Sequence, residues 1–315
     1  MVFQEHPLKD LYRIAVWWPY RWLMEWLPAG LEVLVNRIAG RAAKVVARGQ
    51  AAHLRERLSE AFGASDDLEG TVSEVFQTHF ANQYVVFSFQ KVTQDTLPSY
   101  LTIEGFEHLQ AALTLGKGVV VAHPHFALPQ LPLHALGVLG YAVNQVGGGR
   151  PNIQFSAIGE KVAGIRESLE SRIQANLHDA TGFIRPALRA LERNEVLFTA
   201  SDGTGSGNEM GRRLVSTVLG REMSLPVFAV WAGLKTGATV LPLVTWRDES
   251  GPSLYRARFE APLVLEGSAK DDEALQAGVD QFAGHLSGWL RAHPGDWHFW
   301  DKWTTEQGGL LSSDP

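Results

Sequence analysis

The sequence contains no cysteine among its 315 residues. This absence excludes disulfide bonds, thiolate metal sites and a cysteine nucleophile. Positive charge is also scarce, because the formal net charge is -6 at pH 7. A chain without a basic excess has little to offset the repulsion of nucleic-acid phosphates. We therefore expect no nucleic-acid partner.

Long apolar runs are missing as well. The most apolar N-terminal stretch, residues 14–35, is interrupted by Arg21, Glu25 and Glu32 and by two prolines. A helix that crosses a bilayer needs roughly 20 consecutive apolar residues. The first ten residues are polar and do not resemble a secretory signal. The sequence therefore predicts no transmembrane helix.

Three common catalytic signatures are absent. No Walker loop is present, and no G-x-G-x-x-G sequence follows an apolar run, so nucleotide binding has no support. No G-x-S-x-G elbow surrounds any serine, which weighs against an α/β-hydrolase.

Tryptophans recur at helical spacing near the N-terminus. Trp18, Trp22 and Trp26 follow one another at intervals of four within residues 11–26. Such a face is typical of an amphipathic helix that lies in a membrane interface, where indole rings prefer to sit. The alternative is that these side chains cover the protein core.

Basic residues form a stripe on the next predicted helix, residues 31–58. Arg37, Arg41, Lys44 and Arg48 follow at intervals of four, three and four, which places them on one face. This face suits anionic lipid headgroups or an acidic carrier protein. The alternative is an ordinary solvated surface.

From residue 101 onwards, short apolar strands alternate with helices. The predicted strands span residues 101–104, 119–122, 142–146, 196–200, 239–245 and 255–259. The alternation predicts an α/β fold with a mixed central sheet flanked by helices and preceded by an N-terminal helical extension. We divide the chain into a membrane-associating helical segment, residues 1–98, and an α/β core, residues 99–315.

Two histidines follow the buried strand at residues 119–122. His123 and His125 flank Pro124, which should end the strand. Ligands bind beyond the carboxyl ends of strands in such sheets, so His125 is our candidate general base. The alternative is a structural histidine. An H-x-H metal pair lacks further ligands in the sequence, and we expect no metal.

A glycine-rich segment, residues 201–207, follows the strand at residues 196–200. Asp202 at its start is placed to orient His125, and the backbone N–H groups of Gly203 and Gly205 are placed to bind an anion or oxyanion. The alternative is a tight turn with a capping aspartate. Arg166 and Arg172, on a predicted helix between the two segments, are candidates to neutralise a phosphate or oxyanion, or are ordinary surface residues.

Four features together resemble the bacterial lipid A biosynthesis acyltransferase family, of the late lauroyl- and myristoyltransferase type. The first is the N-terminal helical segment, which ends in a pattern of tryptophan and proline. Residues 118–130 are similar to the strand and H-x4-acid box of that family, residues 191–202 to its later P-D strand, and residues 289–303 to its tryptophan-rich ending. The resemblance covers nearly the whole chain. It implies a glycerolipid-acyltransferase-like fold.

The resemblance also implies an activity. Family members transfer an acyl group from an acyl-carrier-protein or coenzyme A thioester to a hydroxyl or amine of a lipid or glycolipid acceptor, with a histidine as base and no cofactor beyond the thioester. It further implies a peripheral enzyme on the cytoplasmic face of the bacterial inner membrane, with a soluble cytoplasmic enzyme as the alternative.

The box departs from the family pattern, most importantly at its acid position; Ala127 and Leu128 also replace the family's Gly and Asn. The box histidine corresponds to His125, but the acid position five residues later is Gln130, which we place in the substrate site. Glutamine accepts or donates a hydrogen bond but cannot stabilise an imidazolium by charge. Either Asp202 supplies the carboxylate, or the chain is a non-catalytic module that binds acyl groups or carrier protein. Thioester hydrolysis by the same histidine is a further alternative.

Overall fold

A computed structural model of the chain describes residues 7–63, 67–147, 155–179, 184–203 and 211–303. Its centre is a seven-stranded sheet with the strand order β1-β9-β8-β2-β5-β3-β4. Its strands are β1 (Leu101–Glu104), β2 (Val119–His123), β3 (Val143–Gly147), β4 (Asn176–Asp179), β5 (Val196–Ala200), β8 (Thr239–Arg247) and β9 (Tyr255–Phe259). A separate hairpin consists of β6 (Arg213–Val218) and β7 (Arg221–Pro226). Among the described strand pairs of the large sheet, β8–β9 alone is antiparallel.

Helices precede the sheet and connect its strands. They are α1 (Pro7–Ala15), α2 (Arg21–Trp26), α3 (Ala29–Val46), α4 (Arg48–Phe62), α5 (Leu68–Tyr84), α6 (Leu97–Tyr100), α7 (Phe106–Thr114), α8 (Gln130–Val138), α9 (Ala157–Glu170), α10 (Arg185–Glu192), α11 (Phe228–Thr236) and α12 (Asp272–Ala292). Among the described helices, none is both long enough and apolar enough to cross a bilayer. The predicted mixed α/β fold with an N-terminal helical region is confirmed.

The sheet is covered on both faces, as its apolar strands predict. In β2, Val119 and Val121 belong to one buried cluster, whereas Val120 and Ala122 belong to the other. Successive side chains of a strand point to opposite faces, so each cluster lies on one side of the sheet. Trp17 of the N-terminal helices packs in the same cluster as Val119. The division of the chain at residue 98 stays a prediction.

The N-terminal tryptophans divide between the core and the surface. Trp17 is buried, with 5% of its surface exposed, whereas Trp22 and Trp26 are 52% and 87% exposed. Trp17 lies within a widened π-helical turn, Val16–Tyr20, that also contains Pro19 and joins α1 to α2. Proline has no N–H to continue the regular hydrogen bonding of a helix. The core interpretation therefore holds for Trp17, whereas a membrane contact of the exposed Trp22 and Trp26 stays a prediction.

The predicted continuous helix over residues 31–58 is wrong. It breaks at Ala47, whose φ of -92° and ψ of 51° lie outside helical geometry. Beyond the break, α4 carries Leu54 and Leu58 into the buried cluster that contains Trp300 and Trp303. Tertiary packing decides this break, because the helical periodicity of the sequence continues across it.

The sequence analysis missed β4 and the hairpin. The hairpin turns at Leu219 and Gly220, whose φ angles are both positive, at 51° and 79°. A two-residue turn of this kind ordinarily shows Asn-Gly or Asp-Gly, and a leucine hides that signal. The strand β4 lies at the edge of the sheet and contains three polar residues, so it lacks the apolar run that marks a buried strand.

Candidate active site

The site lies at the carboxyl ends of two neighbouring strands. β2 and β5 run parallel with His123 opposite Ala200, and the N–H of Ser201 donates to the carbonyl of His123 at 2.8 Å. His125 and Asp202 each follow their strand end by two residues. The parallel register therefore places both side chains at the same edge of the sheet.

His125 and Asp202 form a hydrogen-bonded pair. The Nδ1 atom of His125 lies 2.8 Å from Oδ1 of Asp202, and the backbone N–H of His125 donates to Oδ2 at 2.8 Å. A carboxylate only accepts hydrogen bonds, so Nδ1 carries the proton. Nε2 then has a free lone pair. The His125 side chain is 20% exposed and that of Asp202 is fully buried, so this lone pair belongs to a partly accessible group.

Trp297 gives Asp202 a third kind of donor. Its indole Nε1–H donates to Oδ2 of Asp202 at 3.0 Å, and the ring is fully buried. Burial acts to raise the pKa of Asp202, but the charge of His125 and the hydrogen bonds from His125 and Trp297 together outweigh it. The pKa of Asp202 therefore lies below its ordinary value, and the side chain stays a carboxylate beside His125.

The C-terminal tail also holds the loop after His125. Ala127 donates its N–H to the carbonyl of Asp296 at 2.7 Å, and His298 donates its N–H to the carbonyl of His125 at 3.0 Å. Nε2 of His298 lies 2.8 Å from the carbonyl of Ala127. Ala127 has a φ of 44°, in the left-handed region that alanine rarely adopts. These contacts fix an unfavourable loop conformation, which positions the imidazole of His125.

His123 differs sharply from His125. It is buried, its Nε2 has no hydrogen-bond partner among the described residues, and its Nδ1 lies 3.2 Å from the carbonyl of Pro124. Burial and the neighbouring charge of His125 lower its pKa to about 4. His123 is therefore neutral at pH 7. Within the described ranges, no three His, Asp or Glu residues cluster as metal ligands would.

Gln130 does not take the place of the missing acid. It is the half-buried first residue of α8, and no hydrogen bond among the described residues joins it to His125. The Nδ1 position of the imidazole belongs to Asp202. The altered position of the box thus leaves the His125–Asp202 pair intact.

Of the remaining predicted residues, one adjoins the site, two lie elsewhere and one is outside the described ranges. Gly203 is buried directly after Asp202, whereas Gly205 lies outside the described residues. Arg166 pairs with Glu170 at 2.6 Å, and Arg172 donates to the side chain of Gln90. Neither arginine is joined to His125 or Asp202 in the part of the chain that the structure describes. Their substrate roles remain predictions.

Sequence reasoning did not identify Trp297 and His298 as site residues. The tail was noted for its tryptophans, but nothing in its spacing showed which ring would meet Asp202. The only available signal was general, because a buried indole N–H must find an acceptor.

Comparison with known proteins finds related sequences over most of the chain. The sequence profile of a family described as bacterial lipid A biosynthesis acyltransferase matches residues 9–304. A phosphatidylinositol mannoside acyltransferase of Mycobacterium tuberculosis strain H37Rv is 26% identical over 318 residues, which covers 93% of this chain and 89% of that protein. A protein of the same name from strain CDC 1551 is 28% identical over 211 residues, or 62% of this chain and 57% of that protein.

Proposed function

The chain belongs to the bacterial lipid A biosynthesis acyltransferase family and is an acyltransferase, and on this basis we propose its reaction. It transfers an acyl group from an acyl-carrier-protein or coenzyme A thioester to a hydroxyl or amine of a lipid acceptor. The observation that carries this proposal is the His125–Asp202 pair, with a protonated Nδ1 and a free Nε2 in a partly exposed position.

In the proposed mechanism His125 is the general base. Nε2 takes the proton of the acceptor hydroxyl while the oxygen attacks the thioester carbonyl carbon, and Asp202 stabilises the imidazolium that forms. The tetrahedral intermediate then expels the thiolate, which receives the proton from His125. The products are an acylated lipid and a free thiol, and the enzyme returns to its starting state. An acceptor amine follows the same sequence.

We propose a glycolipid hydroxyl as the acceptor. The two mycobacterial relatives are named for phosphatidylinositol mannoside, a lipid with a sugar headgroup. A sugar hydroxyl is neutral, so it can be bound by neutral hydrogen-bonding groups. The charge of Asp202 is directed at His125 and not at a ligand. Gly203, Gln130 and the two arginines Arg166 and Arg172 remain candidates for substrate contact.

Exposed apolar side chains support contact with a membrane surface. Besides Trp22 and Trp26, the helix α3 exposes Leu31, Leu34 and Ile38, each to half or more. We call these five side chains the apolar face. Such a surface suits an interfacial position, with indole rings at the headgroup level.

The basic stripe contributes less charge to this contact than its sequence predicts. Arg37 pairs with Glu249 at 3.0 Å, and Lys44 pairs with Glu69. Arg41 and Arg48 make no ion pair with the described residues and are exposed. We therefore propose that the apolar face, rather than the stripe, supplies most of the membrane affinity.

The test is mass spectrometry of the purified protein with acyl thioesters and a glycolipid extract. We expect an acylated product that His125→Ala abolishes and that Asp202→Asn reduces by roughly 10²- to 10⁴-fold, the range for losing a base or its orienting acid. Gln130→Glu should not raise the rate, since Gln130 makes no hydrogen bond to His125 among the described residues and Asp202 already occupies Nδ1. The surface variant Asp272→Asn is the matched control and should behave as the unmodified protein.

Two results would contradict the proposal. Thioester loss that depends on His125 but gives no acylated lipid, over a panel of glycolipids and phospholipids, would identify a hydrolase. Tight thioester binding without turnover, unchanged in His125→Ala, would identify a binding module.

A further inference from the structure

A second site separate from His125 lies between the N-terminal helices and α9. It is a cleft of about 430 Å³. Its lining residues are Trp18, Arg21, Lys161, Gly164, Ile165, Ser168, Leu169 and Arg172. The six from Lys161 onwards recur at intervals of three and one, so they share one face of α9 and of the turn that follows it. Neither His125 nor Asp202 is among the lining residues.

Positive charge dominates the rim of this cleft. Arg21, Lys161 and Arg172 all line it, and none of the described lining residues is acidic. Lys161 is exposed and makes no ion pair with any described residue. Arg172 bonds to the neutral amide of Gln90. These cations therefore remain available to an anionic ligand.

Arg21 lies across the cleft from α9, and its contacts leave part of its guanidinium available to a ligand. Its Nε–H donates to the carbonyl of Trp17 at 3.0 Å, and its Nη1 lies 3.6 Å from Glu25. The backbone bond fixes the direction of the guanidinium, and the contact with Glu25 is long for an ion pair. An arginine oriented in this way presents its remaining N–H groups as a fork, which suits the oxygens of a phosphate.

The floor of the cleft is apolar and roomy. Ile165, Leu169 and Trp18 supply the apolar surface. Gly164 leaves space, because a Cβ added there would meet no atom within 4 Å. Lys161 and Arg172 are eleven residues apart, or about 16 Å along a helix. An apolar floor below separated cations fits an amphiphile with a negatively charged head.

We propose that this cleft binds the phosphodiester headgroup of an anionic glycerophospholipid of the membrane. The choice of a membrane lipid rests on the membrane contact proposed above. Arg21 and Trp18 lie one turn or less from Trp22, which belongs to the apolar face. If that face sits in the interface, the cleft lies at the level of the lipid phosphates. An occupied cleft would fix the orientation of the enzyme on its membrane.

The experiment uses a water-soluble lipid, so that it does not depend on a bilayer. The full-length protein is titrated by calorimetry with dihexanoyl phosphatidylglycerol below its micelle concentration. We expect saturable binding of one lipid per chain. The double variant Lys161→Gln with Arg172→Gln should weaken binding by about tenfold or more, since two charge-assisted contacts are lost.

The matched control removes the same charge elsewhere. Arg41→Gln on α3, combined with Arg48→Gln at the start of α4, should leave the affinity within about twofold. Both arginines are exposed, as are Lys161 and Arg172, so all four substitutions should leave the melting temperature unchanged. Equal weakening by the two double variants would overturn the proposal, because binding would then follow net charge alone.

Two further ligands test whether the cleft prefers the phosphate of a lipid over that of coenzyme A or free inorganic phosphate. Coenzyme A that displaces the lipid and binds more tightly would assign the cleft to the acyl donor and overturn the assignment to a lipid. Inorganic phosphate that binds as tightly as the lipid would reduce the site to a simple anion site and overturn it as well. Failure of the membrane contact or of acyl transfer would appear in other assays and would leave this titration unchanged.

Discussion

Asp202 is a buried carboxylate whose charge depends on its donors. The backbone and imidazole of His125 and the indole of Trp297 all donate to it. An isolated carboxylate at such a position would become protonated to avoid the cost of desolvation. Neighbouring donors thus allow one residue to orient a base and to stabilise its charged form. Trp297 acts here as a positioning residue, because it contacts Asp202 and not the reacting atoms.

Replacing Trp297 tests that role. We expect Trp297→Phe to lower the free energy of unfolding by about 1–3 kcal/mol, because one carboxylate oxygen loses its indole donor. In a background of Asp202→Asn the same substitution should cost less, with a coupling of about 1–2 kcal/mol. Urea denaturation of the four proteins measures this cycle, and turnover should fall with little change in KM. Identical costs in both backgrounds would mean that the indole contributes packing alone.

His123 makes the protein sensitive to acid. Its pKa is lowered to about 4 by burial and by His125, whereas an unfolded histidine titrates near pH 6.5. Between these values the unfolded chain binds a proton that the folded chain does not. Stability is therefore full above about pH 6.5 and falls as the pH drops towards 4.

The corresponding variant is His123→Phe, which removes the titrating group and leaves a ring of similar size. Between pH 7 and pH 5 this histidine alone should lower the free energy of unfolding by on the order of 2 kcal/mol. We expect the variant to lose this part of the pH dependence of the free energy of unfolding, measured by urea denaturation at several pH values. An unchanged slope would show that other groups, such as the buried His298, account for it.

At the scale of elements, a buried ionic cluster joins α2, α3 and the segment after α5. Nζ of Lys91 lies 2.6 Å from the carbonyl of Met24 and 3.2 Å from that of Leu27, at the end of α2. The same ammonium pairs with Glu32, which also accepts from Ser88. Lys91 thus caps one helix and neutralises a buried acid at the start of the next. This cluster sets the turn between the two helices that carry the apolar face.

Breaking this cluster should be costly. Lys91→Met is expected to lower the free energy of unfolding by about 3–5 kcal/mol, because Glu32 remains buried without its partner. In a background of Glu32→Gln the loss should be smaller, since no charge is stranded. The control Lys44→Met breaks a more exposed pair and should cost about 1 kcal/mol or less. Chemical denaturation measures these three losses, and similar costs for Lys91→Met and Lys44→Met would contradict this account.

At the scale of the whole molecule, two surfaces meet near the N-terminal helices. The apolar face is formed by exposed side chains of α2 and α3. The cationic cleft lies between α9 and the chain around Trp18 and Arg21, at the start of α2. The His125–Asp202 pair lies at the carboxyl edge of the sheet. Apolar insertion and anion recognition are separable contributions to membrane binding.

Removing the two most exposed tryptophans tests the first contribution. Trp22→Ser with Trp26→Ser should weaken partitioning onto uncharged phosphatidylcholine vesicles by on the order of tenfold to hundredfold, since two indoles no longer enter the interface. The control Leu115→Ser with Val264→Ser removes exposed apolar side chains elsewhere on the surface and should have little effect. Vesicle sedimentation measures both. Equal losses, or none in either variant, would contradict a membrane role for the apolar face.

Features set by neighbours in the sequence were predictable. The buried strand β2, the position of His125 just beyond it and the matching position of Asp202 after β5 all follow from short-range patterns of apolar residues, glycine and proline. Alternation of strands and helices was sufficient to predict the α/β fold. The two site residues then meet because neighbouring parallel strands end at the same edge.

Only the tertiary structure decided the contacts between distant parts of the chain. Trp297 donates to Asp202 across 95 positions, and His298 holds Ala127 across 171. The break at Ala47 and the burial of Trp17 beside an exposed Trp22 also depend on what packs against each helix. A sequence pattern gives the face of a residue within its own element, whereas the partner of that face depends on packing between elements that the local pattern does not encode.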